Sequence, residues 1–263
     1  MNLNLENKKA FVCGSTQGIG RAAAIELAGL GASVVLLARN EDSLKHVKDE
    51  LDAANNQIHD YIVADFSKPG ELKNKVGEYL ENNGQPVHIL INNTGGPAAG
   101  KAIDAKADEF VGAFQTHLIC NQILVQSLVE GMKSENYGRI INVISTSVKQ
   151  PIAGLGVSNT IRGAVASWAK TLAGELGEFG ITVNNVLPGF TKTARLQTII
   201  ENQANKTGDS IEKISAEMQN ETPARRFAES AEIAASIAFL ASPAAAYING
   251  VNLPVDGGRT ACL

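Results

Sequence analysis

Cysteine is scarce in this chain, and what there is lies scattered. Cys13, Cys120 and Cys262 are odd in number and form no CxxC or zinc-like spacing. That argues against a disulfide framework and fits reduced thiols in a cytoplasmic setting. Histidine is equally sparse: His46, His59, His88 and His117 make no HExxH pair, so no metal site is expected. No run of eighteen apolar residues is present, which excludes a transmembrane helix by length. The opening "MNLNLENKKAF" lacks the basic-then-apolar layout of a secretory signal. A net charge of −4 with interspersed signs gives no footprint for nucleic acid. Tyrosine is rare too, with four in all, and this shortage matters below.

What the chain does have is a regular alternation. Apolar residues make up 44% of its 263 residues, enough for one large core and too many for disorder. Strand-length apolar runs, "KKAFVCG", "ASVVLLA", "HDYIVAD", "VHILINN", "GRIINVIS" and "ITVNNVLPG", are separated by amphipathic helical stretches. Continuous β-branched runs between helices imply a parallel sheet covered on both faces. Right-handed crossovers then build a doubly wound α/β fold of Rossmann type. No linker or low-complexity tract interrupts it, so residues 1–263 are expected to form a single domain. The most polar irregular stretch, residues 201–226, follows the C-terminal end of a strand, where ligands sit in such sheets. We expect residues 194–226 to form a helical lid.

The segment "CGSTQGIG" at 13–20 joins the first strand to the first helix. Gly14, Gly18 and Gly20 let backbone approach a pyrophosphate, and the helix N-terminus faces its charge. "NNTGG" at 92–96, "PGFTKT" at 188–193 and "VDGG" at 255–258 each follow a later strand. Taken in this order, the set resembles the short-chain dehydrogenase/reductase family, from Lys8 to Gly258. The resemblance implies a seven-stranded parallel sheet, an NAD(H) or NADP(H) cofactor, a small-molecule substrate and a homotetramer or homodimer. It implies that Gly14, Ser15, Gly18, Ile19 and Gly20 line the pyrophosphate and adenosine ribose. Asp65 and Phe66 would meet the adenine, and Asn92 and Gly95 would lie beneath the adenosine ribose and sheet centre. Pro188, Gly189, Phe190 and Thr193 match the loop that meets the nicotinamide carboxamide. Subunit contacts would use the helix after His117 and the helix from Ser158 to Phe179, with Ala164, Ala166 and Ala169 on a second face.

Cofactor choice follows from local chemistry. The acidic residue that would end the second strand and hold a ribose 2′-hydroxyl is here Ala38, and Arg39 follows. A guanidinium pairs with a 2′-phosphate, so NADP(H) is expected over NAD(H).

The resemblance breaks at the residues that carry the family's chemistry, an Asn–Ser–Tyr–Lys tetrad. Ser145 matches the serine. The tyrosine position falls on Ser158, the lysine position on Arg162, and the asparagine position on His117. A serine hydroxyl is a far weaker acid than a phenol of pKa about 10. Arg162 cannot donate a proton but can supply the lysine's charge and its bonds to the nicotinamide ribose. His117, titrating near neutrality, could feed a proton into the space a phenol would fill. Its plainer role is packing between helices. Three function classes stay open: an NADP(H)-dependent oxidoreductase with an altered proton donor, a cofactor-binding protein without turnover, and a non-redox enzyme on the same scaffold. No basic cluster after Thr193 or in residues 146–157 hints at a phosphorylated substrate.

Overall fold

Seven parallel strands in the order β3-β2-β1-β4-β5-β6-β7 form the centre of a computed structural model that describes residues 1–262. They are β1 (Lys9–Cys13), β2 (Ser33–Ala38), β3 (Asp60–Val63), β4 (Ile89–Asn92), β5 (Gly138–Val143), β6 (Ile181–Pro188) and β7 (Asn252–Val255). The order reverses between β1 and β4, leaving a crevice at the strands' C-terminal ends there. The helices are α1 (Gly18–Gly29), α2 (Glu41–Glu50), α3 (Pro69–Asn83), α4 (Ala107–Phe114), α5 (Cys120–Ser134), α6 (Gly156–Leu176), α7 (Ala194–Thr207), α8 (Ile211–Asn220) and α9 (Ser230–Ala241). Their ends obey capping chemistry. Asn40 accepts from the Ser43 amide at the start of α2, Pro69 opens α3, and Gly84 closes it at φ +59°.

The sheet separates two cores. Ala10, Val12, Val34 and Leu36 pack with Ala23 and Leu27 of α1 and Ile233 and Ile237 of α9 on one face. Phe11, Val35, Leu90 and Ile140 pack with Leu124 and Leu128 of α5 and Ala169 of α6 on the other. Such two-sided burial is why the strands read as unbroken apolar runs rather than alternating ones.

One row breaks the apolar pattern. Asn92, Asn142, Asn185 and Asn252 occupy matched positions on β4, β5, β6 and β7. Asn92 Nδ2 donates to Asn142 Oδ1 at 2.8 Å, Asn142 Nδ2 to Asn185 Oδ1 at 2.9 Å, and Asn185 Nδ2 to Asn252 Oδ1 at 2.8 Å. A slip of any of these strands by one residue would strand buried amides among apolar side chains. The ladder therefore pins the register.

Four expectations about helices change. The stretch around His117 is not one regular helix: a π-helical turn, Gln115–Ile119, separates α4 from α5 and carries His117. The helix expected to run to Phe179 ends at Leu176 and continues as a tight turn through Phe179. Ala166 and Ala169 are buried inside the chain and form no free second face, because the stripe of α6 facing the sheet is broad enough to include them. The polar stretch expected to be helical over 194–226 is helical only to Asn220, with turns over 221–226: α7 and α8 form a hairpin closed at Gly208, with Leu196, Ile200, Ile214 and Met218 between them. Among the described residues, no helix is long and apolar enough to cross a membrane.

Candidate active site

A cavity of about 660 Å³ runs along the crevice at the C-terminal ends of the strands. Its first end is built around the turn from β1 to α1. Gly14 has φ +59° and Gly18 φ +55°, a region costly for any residue with a Cβ. A Cβ on Gly20 would lie 2.1 Å from Gly14 O, so the turn closes only with glycine there. Asn93 ties it down, Nδ2 donating to Cys13 O at 3.2 Å and Gly14 O at 3.3 Å. No side chain caps the start of α1, where Gln17 is the N-cap residue. The first turn of α1, with Gly18 and Ile19 at the cavity wall, therefore lacks a side-chain partner for its amides, an arrangement suited to an anion. Arg39 leaves the end of β2 into the same space, and Asp65 lies near it across the β3 end. The amide and hydroxyl of Ser67 hold the Asp65 carboxyl below its ordinary range, with a smaller push from Arg39.

The other end is built from β5, β6 and α6. Ser145 caps a short turn after β5, and its Oγ accepts from the Ser147 amide at 3.1 Å. Ser158 and Arg162 lie one turn apart on α6, both buried and both lining the cavity. Arg162 Nη1 donates to Val143 O at 3.1 Å, while its Nε is buried with no partner. Burial, then the nearby Arg195, lowers its pKa to about 10, which leaves it charged at neutral pH. Arg195, in the first turn of α7, donates to Gly96 O at 3.2 Å and Pro97 O at 2.6 Å. Thr193 caps α7 and sits against Gly18, so this helix start closes the middle of the cavity.

Most of the sequence-predicted residues come together here. Gly14, Gly18, Ile19, Arg39, Asp65, Phe66, Gly95, Ser145, Ser158, Arg162, Pro188, Gly189, Phe190 and Thr193 line the cavity. Ser15, Gly20, Asn92 and His117 do not. Ser15 is fully buried with an unpartnered Oγ, and Asn92 faces into the sheet as the first rung of the ladder. Their neighbours Thr16, Gln17, Asn93 and Thr94 take the exposed places. These could have been read from "NNTGG", since alternation along β4 sends consecutive asparagines opposite ways.

His117 departs furthest from expectation. It is buried, and its Nδ1 lies 2.7 Å from Thr94 Oγ1. Burial chiefly, then the charges of Arg162 and Arg195, push its pKa down to about 3. The imidazole is therefore neutral throughout the physiological range and does not titrate near pH 6 to 7. No tyrosine lines the cavity among the described residues. Tyr61 donates to Glu41, Tyr79 packs edge-on against Phe11, Tyr137 donates to Ala241 O, and Tyr247 is exposed. Among the described residues no three His, Cys, Asp or Glu side chains gather as a metal set.

Comparison with known proteins places the whole architecture. Residues 14–260 match the family model described as enoyl-(acyl carrier protein) reductase. The NADPH-dependent reductase BacG of Bacillus subtilis is 29% identical over 254 residues, covering 97% of this chain and 98% of that one. The 3-oxoacyl-[acyl-carrier-protein] reductase FabG of Vibrio cholerae is 32% identical over 256 residues, covering 97% and 98%. The L-sorbose reductase of Gluconobacter frateurii, solved with NADPH and L-sorbose, superposes with a TM-score of 0.93 at 28% identity over the full length of both chains. With a glycine turn, a crevice at the strand reversal and a match spanning nearly every element, the chain belongs to the short-chain dehydrogenase/reductase family.

Proposed function

We propose that this protein is an NADPH-dependent carbonyl reductase whose proton does not come from a tyrosine. The observation that carries the reading is the continuity of one cavity from Arg39 to Ser145 and Arg162. Bound NADPH would supply a hydride, and the residues lining the cavity have the chemistry to hold it. The amides at the start of α1 suit its diphosphate, and the Gly14–Gly20 cradle is closed to any Cβ. Arg39, with Ala38 in place of a carboxylate, pairs with the 2′-phosphate. Pro188 to Thr193 border the nicotinamide end, and Arg162 holds its ribose. Ser145 holds the substrate oxygen. The α7–α8 hairpin acts as the lid.

Proton supply is the altered step. Ser158 leaves the space of a phenol, and that space admits water. Thr94 lines the cavity and its Oγ1 lies 2.7 Å from His117 Nδ1, so a water held by the Thr94 hydroxyl would give its proton to the substrate oxygen, the hydroxide left behind being neutralised by bulk solvent, while the neutral imidazole orients that hydroxyl. The absence of a tyrosine from the described cavity lining also favours a second reading, a cofactor-binding protein without turnover.

Titration by fluorescence tests the cofactor half. NADPH binds tenfold to a hundredfold more tightly than NADH, about 1.5 to 3 kcal/mol for the charged pair, and Arg39→Ala removes the difference. Equal affinities in the parent would end this reading. We also infer a homotetramer or homodimer. Phe110, Val111 and Phe114 of α4 with Ile119 and Ile161 line an apolar surface groove suited to a second copy. A monomer mass in light scattering would refute it.

A further inference from the structure

The catalytic end of the cavity holds two cations and no acid. Arg162 and Arg195 are distant in sequence, yet their tips converge on one residue. A methyl group built on Gly96 would lie 3.5 Å from Arg195 Nη2 and 3.7 Å from Arg162 Nη2. Neither arginine has a carboxylate partner among the described residues. Asp65, the sole acid among the described residues lining the cavity, is at the far end beside Arg39. The donors that are satisfied are satisfied by neutral carbonyls: Val143 O for Arg162, Gly96 O and Pro97 O for Arg195. Those bonds fix the two guanidinium groups in place and leave their charge uncompensated, with Arg162 buried and its Nε unpartnered.

An unpaired buried charge is costly, and two like charges brought together raise that cost. A ligand anion lowers it. The cofactor's own anions have other places: its diphosphate at the start of α1 and its 2′-phosphate at Arg39. Ribose hydroxyls can satisfy donors of Arg162 but not its charge, and Ser158 offers no charge at all. The guanidinium fork suits a planar carboxylate, which can take two parallel N–H bonds from one arginine and a third from the other. The Val143 carbonyl that anchors Arg162 is two residues before Ser145, so a group held there lies close to the hydroxyl that receives the substrate oxygen.

We propose that Arg162 and Arg195 together seat a free carboxylate on the substrate, which is a small oxo acid or its hydroxy acid rather than a neutral sugar or a thioester. The inference rests on the reading of this cavity as a reductase site. Arg195 is exposed at the mouth, so its replacement does not disturb the core.

Titration calorimetry on the full chain tests it, with and without saturating NADP⁺, the oxidised cofactor, so that the oxo acids bind without being reduced. The probes are acetoacetate and 3-oxohexanoate, each against its methyl ester. The acids bind tenfold to a hundredfold more tightly than the esters. Arg195→Gln removes most of that advantage and Arg195→Lys retains part of it. NADPH affinity stays within twofold in both variants, and thermal melts verify that they are folded. Equal binding of acids and esters by the parent overturns the proposal. So does a Arg195→Gln variant that keeps the acid preference but loses NADPH, which would make Arg195 a clamp for the cofactor's diphosphate. Acids that bind a parent unable to bind NADPH would leave the anion seat standing and sink the reductase reading instead.

Discussion

The two ends of the cavity are built by different rules. The end around Gly14 comes from one short turn, with the strand, three glycines and helix start contiguous in sequence. The end around Arg162 is assembled from β5, α6, the loop after β4 and the start of α7. The first end has little freedom to vary, because a single Cβ at Gly20 would strike backbone. The second depends on side chains presented by α6 and α7, and under the proposed function Ser158 and Arg162 stand there in place of a phenol and an amine. Binding machinery tied to backbone geometry resists change, whereas side chains presented on a rigid scaffold can be exchanged.

The largest effect expected from crossing this divide is chemical. Ser158→Tyr combined with Arg162→Lys should raise carbonyl turnover about 10²-fold or more, because a missing general acid typically costs about 10²- to 10⁴-fold. NADPH affinity should change little. Steady-state kinetics with a panel of ketones checks this. Unchanged kcat would mean that proton supply does not limit the parent.

A second expectation concerns the sheet that supports both ends. Asn142→Leu leaves donor and acceptor groups of Asn92 and Asn185 buried and unpaired. Urea unfolding should show a loss of about 2 to 4 kcal/mol, from two broken bonds and the desolvation they no longer offset. A neutral effect would show that the ladder does not set the register.

The smallest expected effect at the working pH is the contribution of His117 to stability, which grows only in acid. His117 has a folded pKa of about 3 against an ordinary 6.5. The unfolded chain therefore binds a proton that the native state refuses between those values. Stability falls as pH drops from about 6.5 toward 3, by less than about 1 kcal/mol at pH 6 and up to about 5 kcal/mol near pH 3, and is not affected by this group above that window. His117→Gln should flatten that slope. An identical slope would show that His117 is not shielded as the structure places it. Turnover should show no His117-dependent step between pH 6 and 8.

The same contrast explains what was legible beforehand. The strand runs, the glycine turn and Arg39 beside Ala38 were all readable, because each depends on neighbours in sequence. The asparagine ladder was not, since four separate amides become one row only when strand pairing aligns them. The convergence of Arg162 and Arg195 was hidden for the same reason, and a chain with no basic cluster in its pocket segments still carries one in space. The chemistry of His117 is not legible from the sequence either. Residue type gives an ordinary pKa, and only the packing around Thr94, Arg162 and Arg195 reveals that the charged form is excluded.

Deuteride transfer tests the central claim most directly. The full chain is incubated with NADPH carrying deuterium at both C4 positions and with a panel of carbonyl compounds that includes free oxo acids, and the products are read by mass spectrometry. The account expects deuterium on the former carbonyl carbon of at least one oxo acid, with none in a Gly20→Val variant. Tight NADPH binding with no label in any product would contradict it, and would identify the chain as a binder of the cofactor rather than a user of it.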